Sequence, residues 1–191
     1  MISSSQSLPK TKILLINTLN DMLKEASIED ITIIALVQKS GITRSTFYTH
    51  YHDKYMLFED LVYYLCKTAF TPLVLEKVTD DHQEWLEQLK KNYSQTLYVL
   101  NDHHHVFAQI PAKSRLVAIR NGIALSKPDF INQLEQINYN PVINKEYAAN
   151  FFLSGLFLTY EQWIYSGYDI PVEELSEQLT HLTAAQFNLP H

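Results

Sequence analysis

Residues 31–58 read ITIIALVQKSGITRSTFYTHYHDKYMLF, and this stretch predicts two short helices joined by a tight turn. Thr32 can cap the first helix, since its hydroxyl can accept a hydrogen bond from an unpaired backbone N–H of the first turn. Gly41 ends that helix because glycine tolerates the left-handed backbone of a sharp turn. Thr43 is a fresh N-cap for a helix through about residue 50. Two short helices joined this tightly are expected to cross steeply.

The second of these helices, TRSTFYTH, has one apolar face and one polar face. Phe47, with Ile42 before it and Tyr51 after it, is predicted to pack against the preceding helix and against an amphipathic helix over residues 11–26. A helix that enters the major groove of DNA needs this division between an anchored face and small polar or charged side chains. Residues 31–51 therefore predict a DNA-binding helix-turn-helix.

Individual side chains of this segment suit different contacts with double-stranded DNA. Arg44 is best placed to read a base, because its guanidinium can donate two hydrogen bonds to guanine O6 and N7. Lys54 opens the next helix, where its ammonium and backbone N–H groups can hold a phosphate. An ordinary amphipathic helix with a solvated polar face is the alternative. The predicted DNA-binding residues are Thr32, Thr43, Arg44, Ser45, Thr46, Tyr48, His50 and Lys54.

Charge is divided unevenly along the 191 residues, whose formal net charge is -6. Residues 1–54 carry six Lys/Arg and five Asp/Glu, whereas residues 55–191 carry nine and sixteen. A polyanion is therefore expected to meet only the near-neutral first part of the chain.

Cysteine and glycine usage narrow the fold class. Cys66 is the single cysteine, which excludes an intrachain disulfide and a four-thiolate metal site. Four glycines and the lack of sustained β-type alternation favour an all-α fold.

The N-terminus lacks the apolar stretch of a secretory signal, and Ser154 and Gly155 interrupt the longest apolar run. A soluble, cytoplasmic protein without membrane contact is expected.

Catalytic and metal-binding motifs are missing from the sequence. It has no Gly-rich phosphate loop, no HExxH pair, no GxSxG elbow and no recognisable Cys/His/Asp grouping. Residues 103–105 are three consecutive histidines, but neighbours on a helix point in different directions and no second ligand cluster accompanies them. We therefore expect no enzymatic activity, no cofactor and no metal, and read the histidines as a loop or a helix start.

Apolar spacing and capping residues predict further helices beyond this motif. Asp53 is expected to cap a helix over residues 54–78, which Pro72 kinks or divides. Gly167 closes a helix over residues 145–166, and Pro171 with two following acids starts the last one. Shorter or intermediate segments are predicted at residues 82–101, 106–110, 114–125 and 130–137.

The stretch 31–58 resembles the DNA-binding signature of TetR-family transcription regulators. It shares a Thr-capped short helix, a small residue and glycine in the turn, then Ser/Thr, Phe-Tyr, His-aromatic and Asp-Lys at fixed offsets. The match runs without gaps from Thr32 through Leu57. The resemblance implies base contacts for Arg44, Ser45 and Tyr48, and phosphate contacts for Thr43, Thr46, His50 and Lys54.

The resemblance also implies a domain organisation and a function. Residues 1–53 are expected to form a three-helix DNA-binding domain, and residues 54–191 a helical ligand-sensing and dimerisation domain. The implied function is a repressor that binds a palindromic operator as a homodimer and is released by a small-molecule effector. The alternative is an adaptor or coactivator of the same fold that acts through a protein partner and does not bind DNA.

The sequence departs from the family pattern at two positions. Ile34 and Ala35 stand where family members usually carry polar residues, one of them often basic and facing the DNA. Fewer DNA contacts are therefore expected from the first helix of the motif, and the binding is expected to depend only weakly on salt.

The end of the chain predicts a subunit interface. FFLSGLFLTYEQWIYSGY (residues 151–168) and PVEELSEQL (171–179) resemble the closing helices of a Firmicutes-type subgroup that includes dihydroxyacetone-kinase regulators. Residues 151–158 are apolar nearly all round, which a helix tolerates only when it is buried on two sides. The resemblance implies a twofold dimer. The predicted interface residues are Ala148, Phe152, Gly155, Leu156, Thr159, Leu175, Leu179 and Leu182.

Aromatic residues of the second part could line an apolar effector pocket, and they could equally be plain core. Cys66 is interpreted as a small buried residue and not as a redox sensor, because only Lys67 supplies a neighbouring cation in the sequence. The candidate pocket residues are Tyr63, Cys66, Phe70, Trp85, Tyr93, Phe107, Tyr160 and Trp163.

Overall fold

The computed structural model describes residues 9–70, 81–136 and 142–186 of the chain. These residues form nine α-helices and no β-strand, which confirms the predicted all-α fold. None of the described helices combines the length and the apolar content that crossing a bilayer requires. The helices are α1 (Lys10–Met22), α2 (Ile33–Ser40), α3 (Arg44–Tyr48), α4 (Lys54–Phe70), α5 (His82–Asp102), α6 (His104–Phe107), α7 (Ala112–Gln136), α8 (Lys145–Tyr165) and α9 (Val172–Gln186).

The chain divides into two compact units, one up to Tyr64 and one from Leu65 onward. The division therefore falls inside α4. The domain boundary that the sequence predicts between residues 53 and 54 stays a prediction.

The first unit has a small apolar core that holds its short helices in place. Leu15 and Leu19 of α1, Leu36 of α2 and Phe47 of α3 are all fully buried. Burial of one such side chain contributes roughly 1.5–3 kcal/mol. A few residues of this kind are enough to fix helices that would be too short to form alone.

The second unit is built from two main helix pairs. Helix α7 packs along α8, and α5 packs along α9. Between α5 and α9, the Tyr93 hydroxyl lies 2.7 Å from Thr183 Oγ1 in the core, and Lys90 Nζ lies 3.1 Å from Glu177 Oε2 at the surface. Thr96 Oγ1 donates to the carbonyl of Ala69 at 2.8 Å, which ties α5 to the end of α4.

Two predicted segments, 114–125 and 130–137, prove to belong to one helix. Helix α7 runs through Pro128, which lies inside it and is exposed. A proline in a helix interior removes one backbone hydrogen bond and crowds the carbonyl four residues before it. Because α7 is 25 residues long and packs along α8, the local loss does not divide it.

Other predicted helix boundaries differ from those of the structure by a few residues, and one predicted kink lies outside the described residues. Helix α1 ends at Met22 and not near residue 26, and α3 ends at Tyr48, although Tyr51 N still donates to the Phe47 carbonyl at 3.0 Å. The segment predicted at 106–110 is helical over His104–Phe107. The kink predicted at Pro72 lies outside the described residues.

Helix α7 approaches a side chain of α8 closely at Gly122. A Cβ atom placed on Gly122 would lie 2.2 Å from Cε1 of Phe157, whose ring is buried. Only glycine therefore leaves room for that ring at this crossing.

We expect Gly122→Ala to lower the free energy of unfolding by about 1–3 kcal/mol, because the added methyl overpacks the contact with Phe157. Urea denaturation measures the change. In a Phe157→Leu background the same glycine substitution should cost clearly less, since the clashing ring atoms are gone. Equal costs in both backgrounds would contradict this explanation.

Candidate nucleic-acid interface

Three residues set the geometry of the turn between α2 and α3. Thr32 Oγ1 accepts from the backbone N–H of Ala35 at 3.1 Å, and Thr43 Oγ1 accepts from that of Thr46 at 3.1 Å. Both threonines are thus N-caps, as the sequence predicts. Between them Gly41 has φ of 70°, the left-handed conformation that ends α2. The helix-turn-helix is therefore formed.

Helix α3 has an anchored face and an open face. Phe47 is completely buried, and its ring meets that of Tyr48 edge-on at 5.5 Å. On the open side, Tyr48 is 47% exposed, so its ring and hydroxyl are available to a partner molecule. Of the predicted contacts in this segment, the exposed ones are Thr32, Thr43, Arg44, Ser45 and Tyr48, and the half-buried ones are Thr46 and His50.

Lys54 is engaged with the backbone of the loop before α2. Its ammonium donates to the carbonyl of Glu29 at 2.7 Å and to that of Ile31 at 3.0 Å. Tyr55 holds the same loop, because its hydroxyl donates to Glu29 Oε2 at 2.7 Å. Two of the three N–H groups of Lys54 are therefore occupied within the chain. The phosphate contact predicted for Lys54 stays a prediction.

A buried tyrosine links the segment after α3 to α1 and α4. The Tyr51 hydroxyl donates to Asp60 Oδ2 at 3.0 Å, and Lys12 Nζ lies 2.9 Å from the same oxygen. Burial first, and then the Asp60 carboxylate, raise the pKa of Tyr51, so its hydroxyl remains a donor. Sequence reasoning expected only apolar packing from Tyr51 and missed this network. The polar partners Lys12 and Asp60 lie on two other helices, α1 and α4, and the order of residues does not show that they meet at Tyr51.

The two departures from the family pattern lie on the first helix of the motif. Ile34 is 52% exposed and Ala35 is half-buried. An exposed isoleucine offers a partner an apolar contact and no hydrogen bond. The polar atoms that this surface presents therefore belong mainly to α3 and its N-cap.

A cavity of about 60 Å³ lies within the second unit. Four of the predicted pocket residues line it: Cys66, Phe70, Phe107 and Tyr160. Desolvation raises the pKa of the Cys66 thiol to about 12, so the thiol is neutral and poorly nucleophilic. Cys66 is half-buried, and its neutral thiol agrees with the interpretation that it is not a redox sensor.

The other four predicted pocket residues do not line this cavity. Trp85, Tyr93 and Trp163 are core residues elsewhere, and Tyr63 is half exposed on α4. Trp163 is held by its own contact, since its Nε1 donates to the carbonyl of Ile170 at 2.8 Å. The aromatic content of the sequence did not distinguish core from cavity. Lining residues that sequence reasoning missed include Arg115, Ile119, Phe157, Glu161 and Tyr165.

The predicted subunit-contact residues separate into three groups. Leu156, Leu175 and Leu179 are buried in the core of their own chain, so they present little surface to a second subunit. Gly155 and Leu182 are exposed, and Ala148, Phe152 and Thr159 are half-buried. Large exposed side chains that were not on the predicted list accompany them on α8: Tyr147, Phe151 and Leu158.

The three consecutive histidines lie where α5 ends and α6 begins. His103 is both the C-cap of α5 and the residue before α6. The Nδ1 atom of His104 lies 2.9 Å from the carbonyl of Asn101. Their position matches the predicted helix start, and across the described residues no group of three or more His, Cys, Asp or Glu is arranged to hold a metal ion.

Gly41 is a position of the motif where a side chain would strain the backbone. We expect Gly41→Ala to lower the free energy of unfolding by about 1–2 kcal/mol, because an L side chain is strained at this positive φ. Thermal denaturation followed by circular dichroism measures it. Gly41→Asn is the matched control, since asparagine adopts this conformation more readily and should lose clearly less. A loss as large for asparagine as for alanine would exclude backbone strain as the cause.

Comparison with known proteins places these features in context. A family model described as the transcriptional regulator C-terminal region, of the TetR type, matches residues 87–184. No curated protein sequence matches the chain.

Several solved structures share the fold. A TetR-family transcriptional regulator from Streptomyces coelicolor superposes with a TM-score of 0.69 at 18% identity, over 91% of this chain and 81% of that one. The TetR family repressor AlkX from Dietzia sp. strain DQ12-45-1b gives 0.66 at 13% identity, over 97% and 98%. The dihydroxyacetone kinase operon activator DhaS gives 0.62 at 16% identity, over 94% and 97%.

Proposed function

The chain belongs to the TetR family of transcriptional regulators, and from this we propose that it represses transcription by binding a palindromic operator as a homodimer. In this proposal it acts in the cytoplasm, and a small-molecule effector bound in the second unit releases it from DNA. The observation that carries the proposal is the division of α3 into two faces. Its Phe47 face is fixed in the core, while Arg44, Ser45 and Tyr48 remain exposed on the other side.

The exposed face of α3 suits the major groove of DNA. Arg44 can donate two parallel hydrogen bonds to guanine, and hydroxyl and phenol groups can contact phosphates or thymine methyl groups. The backbone around α3 is fixed by two N-caps and by Phe47, so these side chains start from a defined position. Defined positions reduce the ordering cost of binding.

A single helix of five residues makes few contacts with DNA. We therefore propose that a second subunit contributes a second α3 helix. Two copies related by a twofold axis would present two α3 helices to successive major grooves, roughly 34–36 Å apart or somewhat wider. Tyr147, Phe151 and Leu158 of α8 are spaced four and seven residues apart, so they form one stripe on the helix. Phe151 is 76% exposed. We propose that a second copy of the chain covers this stripe together with Leu182 of α9.

Helix α4 carries residues of both the proposed effector site and the loop before the DNA-binding motif. Its first residue, Lys54, holds the loop before α2, and its last residue, Phe70, lines the cavity. A ligand that displaces Phe70 would therefore act on the same helix that positions that loop. An effector needs different affinities for the bound and the released state to shift their populations.

We expect Arg44→Ala and Tyr48→Ala each to weaken DNA binding by at least about ten-fold, since each removes a contact of about 1–3 kcal/mol from the groove. The probe is the duplex that the purified protein selects from genomic fragments, and fluorescence anisotropy measures the affinity. Lys24→Ala and Tyr63→Ala are the matched controls, because they remove another exposed cation and another half-exposed tyrosine.

Binding that survives both α3 substitutions would place the interface elsewhere. Failure to select any duplex, with the chain folded and dimeric, would favour the adaptor function. The salt dependence gives a further readout. Lys54, the Lys or Arg predicted to contact a phosphate, predicts from two subunits a slope of log K against log salt concentration of about -2.

We expect Phe151→Glu to convert the dimer into a monomer, because a carboxylate at the centre of an apolar contact is left desolvated and unpaired. Sedimentation equilibrium measures the mass. Leu116→Glu is the control, since Leu116 of α7 is also more than half exposed and lies outside the proposed interface. A dimeric Phe151→Glu variant would overturn the proposed contact.

A further inference from the structure

The cavity of the second unit lies among helices α4 to α8, and the surface that it presents is almost entirely apolar. Its walls come from different helices, and they include Phe70 of α4, Leu100 of α5, Phe107 of α6, Ile119 of α7 and Phe157 of α8. The rings of Phe70 and Phe157 are 4.5 Å apart at their centroids. Walls of this kind favour an apolar ligand.

The two tyrosines of the lining offer no free donor to a ligand. The Tyr165 hydroxyl donates to the carbonyl of Phe107 at 3.1 Å. The Tyr160 hydroxyl has no hydrogen-bond partner among the described residues, but it is withdrawn from the accessible surface. A molecule in the cavity therefore meets both tyrosines as apolar rings.

The charged residues of the lining do not make a site for an ion. The Arg115 guanidinium lies 3.3 Å from the centroid of the Tyr165 ring, and its Nε is withdrawn from the accessible surface. Glu161 carries the opposite charge, so the lining has no net formal charge. A charged ligand would therefore lose its hydration without a compensating field.

Water is a poor occupant of the same space. A buried water molecule needs about two to four polar partners, and these walls supply few. Desolvation raises the pKa of the Cys66 thiol to about 12, so this group stays neutral and bonds hydrogen weakly. Apolar cavities stay dry and accept apolar molecules.

We propose that this cavity binds a small hydrocarbon, a molecule with no charge and no hydrogen-bonding group. The proposal rests on the proposed function, because it names the chemical class of the effector. The size of the ligand follows from the volume. The cavity, about 60 Å³, is less than half as large as the roughly 150 Å³ apolar cavity that holds benzene. A hydrocarbon of about four carbons is therefore the appropriate probe.

The test uses the full-length protein and isobutene, with binding followed by changes in protein NMR chemical shifts. Acetone and acetate are the matched controls, since they have the same trigonal shape and the same number of heavy atoms. Acetone adds a hydrogen-bond acceptor, and acetate adds a negative charge. We expect isobutene to bind at least about ten-fold more tightly than either, because only isobutene enters the apolar walls without losing hydrogen bonds to water.

A substitution that fills the cavity locates the ligand. Ala118 of α7 lines the cavity, so Ala118→Leu should weaken isobutene binding by at least about ten-fold. Ala124→Leu is the matched control, because Ala124 is exposed on the same helix and outside the lining. It should leave isobutene binding unchanged.

A substitution that enlarges the cavity tests the location in the opposite direction. Ile119→Ala should allow benzene to bind, whereas the smaller cavity of the parent excludes it. Ile123→Ala removes the same side chain from a half-buried position of α7 outside the lining, and it should not bind benzene.

The outcomes separate this inference from the proposed function. No binding of isobutene, binding of acetone or acetate as tight as that of isobutene, or unchanged isobutene binding by a folded Ala118→Leu variant would each overturn the hydrocarbon assignment. If isobutene binds as expected while no duplex DNA is selected, the cavity assignment stands and the operator function fails. Isobutene that weakens operator binding by the parent, and not by Ala118→Leu, supports both.

Discussion

The burial of Phe47 is the contact on which the DNA-binding surface depends. A helix of five residues is not stable alone in water, because helix nucleation is unfavourable. Helix α3 is therefore stabilised by the burial of Phe47 in the core formed with α1 and α2. The Phe47 ring is thus one of the contacts that position the side chains on the opposite face of α3. The half-buried hydrogen bond from Tyr51 to Asp60 fixes the chain just after α3, and Thr43 fixes it just before. The recognition surface is therefore a property of the whole first unit.

The turn between α2 and α3 could be predicted from sequence because its causes are local. A threonine cap acts on backbone groups three residues away, and Gly41 needs only its own freedom of φ. The continuity of α7 through Pro128 could not be predicted in the same way. Its cause is the packing along α8, and the sequence of α7 alone does not contain that neighbour.

The residues that line the cavity could not be predicted from the sequence either. Aromatic composition pointed to Trp85, Tyr93 and Trp163 as readily as to Tyr160, because a ring in the core and a ring beside a cavity look alike in a sequence. What distinguishes them is the surroundings of each ring, such as a polar neighbour from far away in the sequence. Thr183 supplies one to Tyr93 across ninety positions of sequence, as the hydrogen bond between their hydroxyls shows. Leu156 and Leu175, which the sequence predicts as subunit contacts, are buried in their own chain, and an apolar side chain looks the same in a sequence whichever neighbour covers it.

Gly122 lies outside the lining of the cavity, yet it sets the position of Phe157, which lies in it. A larger residue at this crossing would have to be accommodated by movement of the Phe157 ring. The shape of the cavity that we propose for the effector is therefore controlled by a residue that does not line it. A substitution at this one position would alter the cavity while every residue that lines it stays the same.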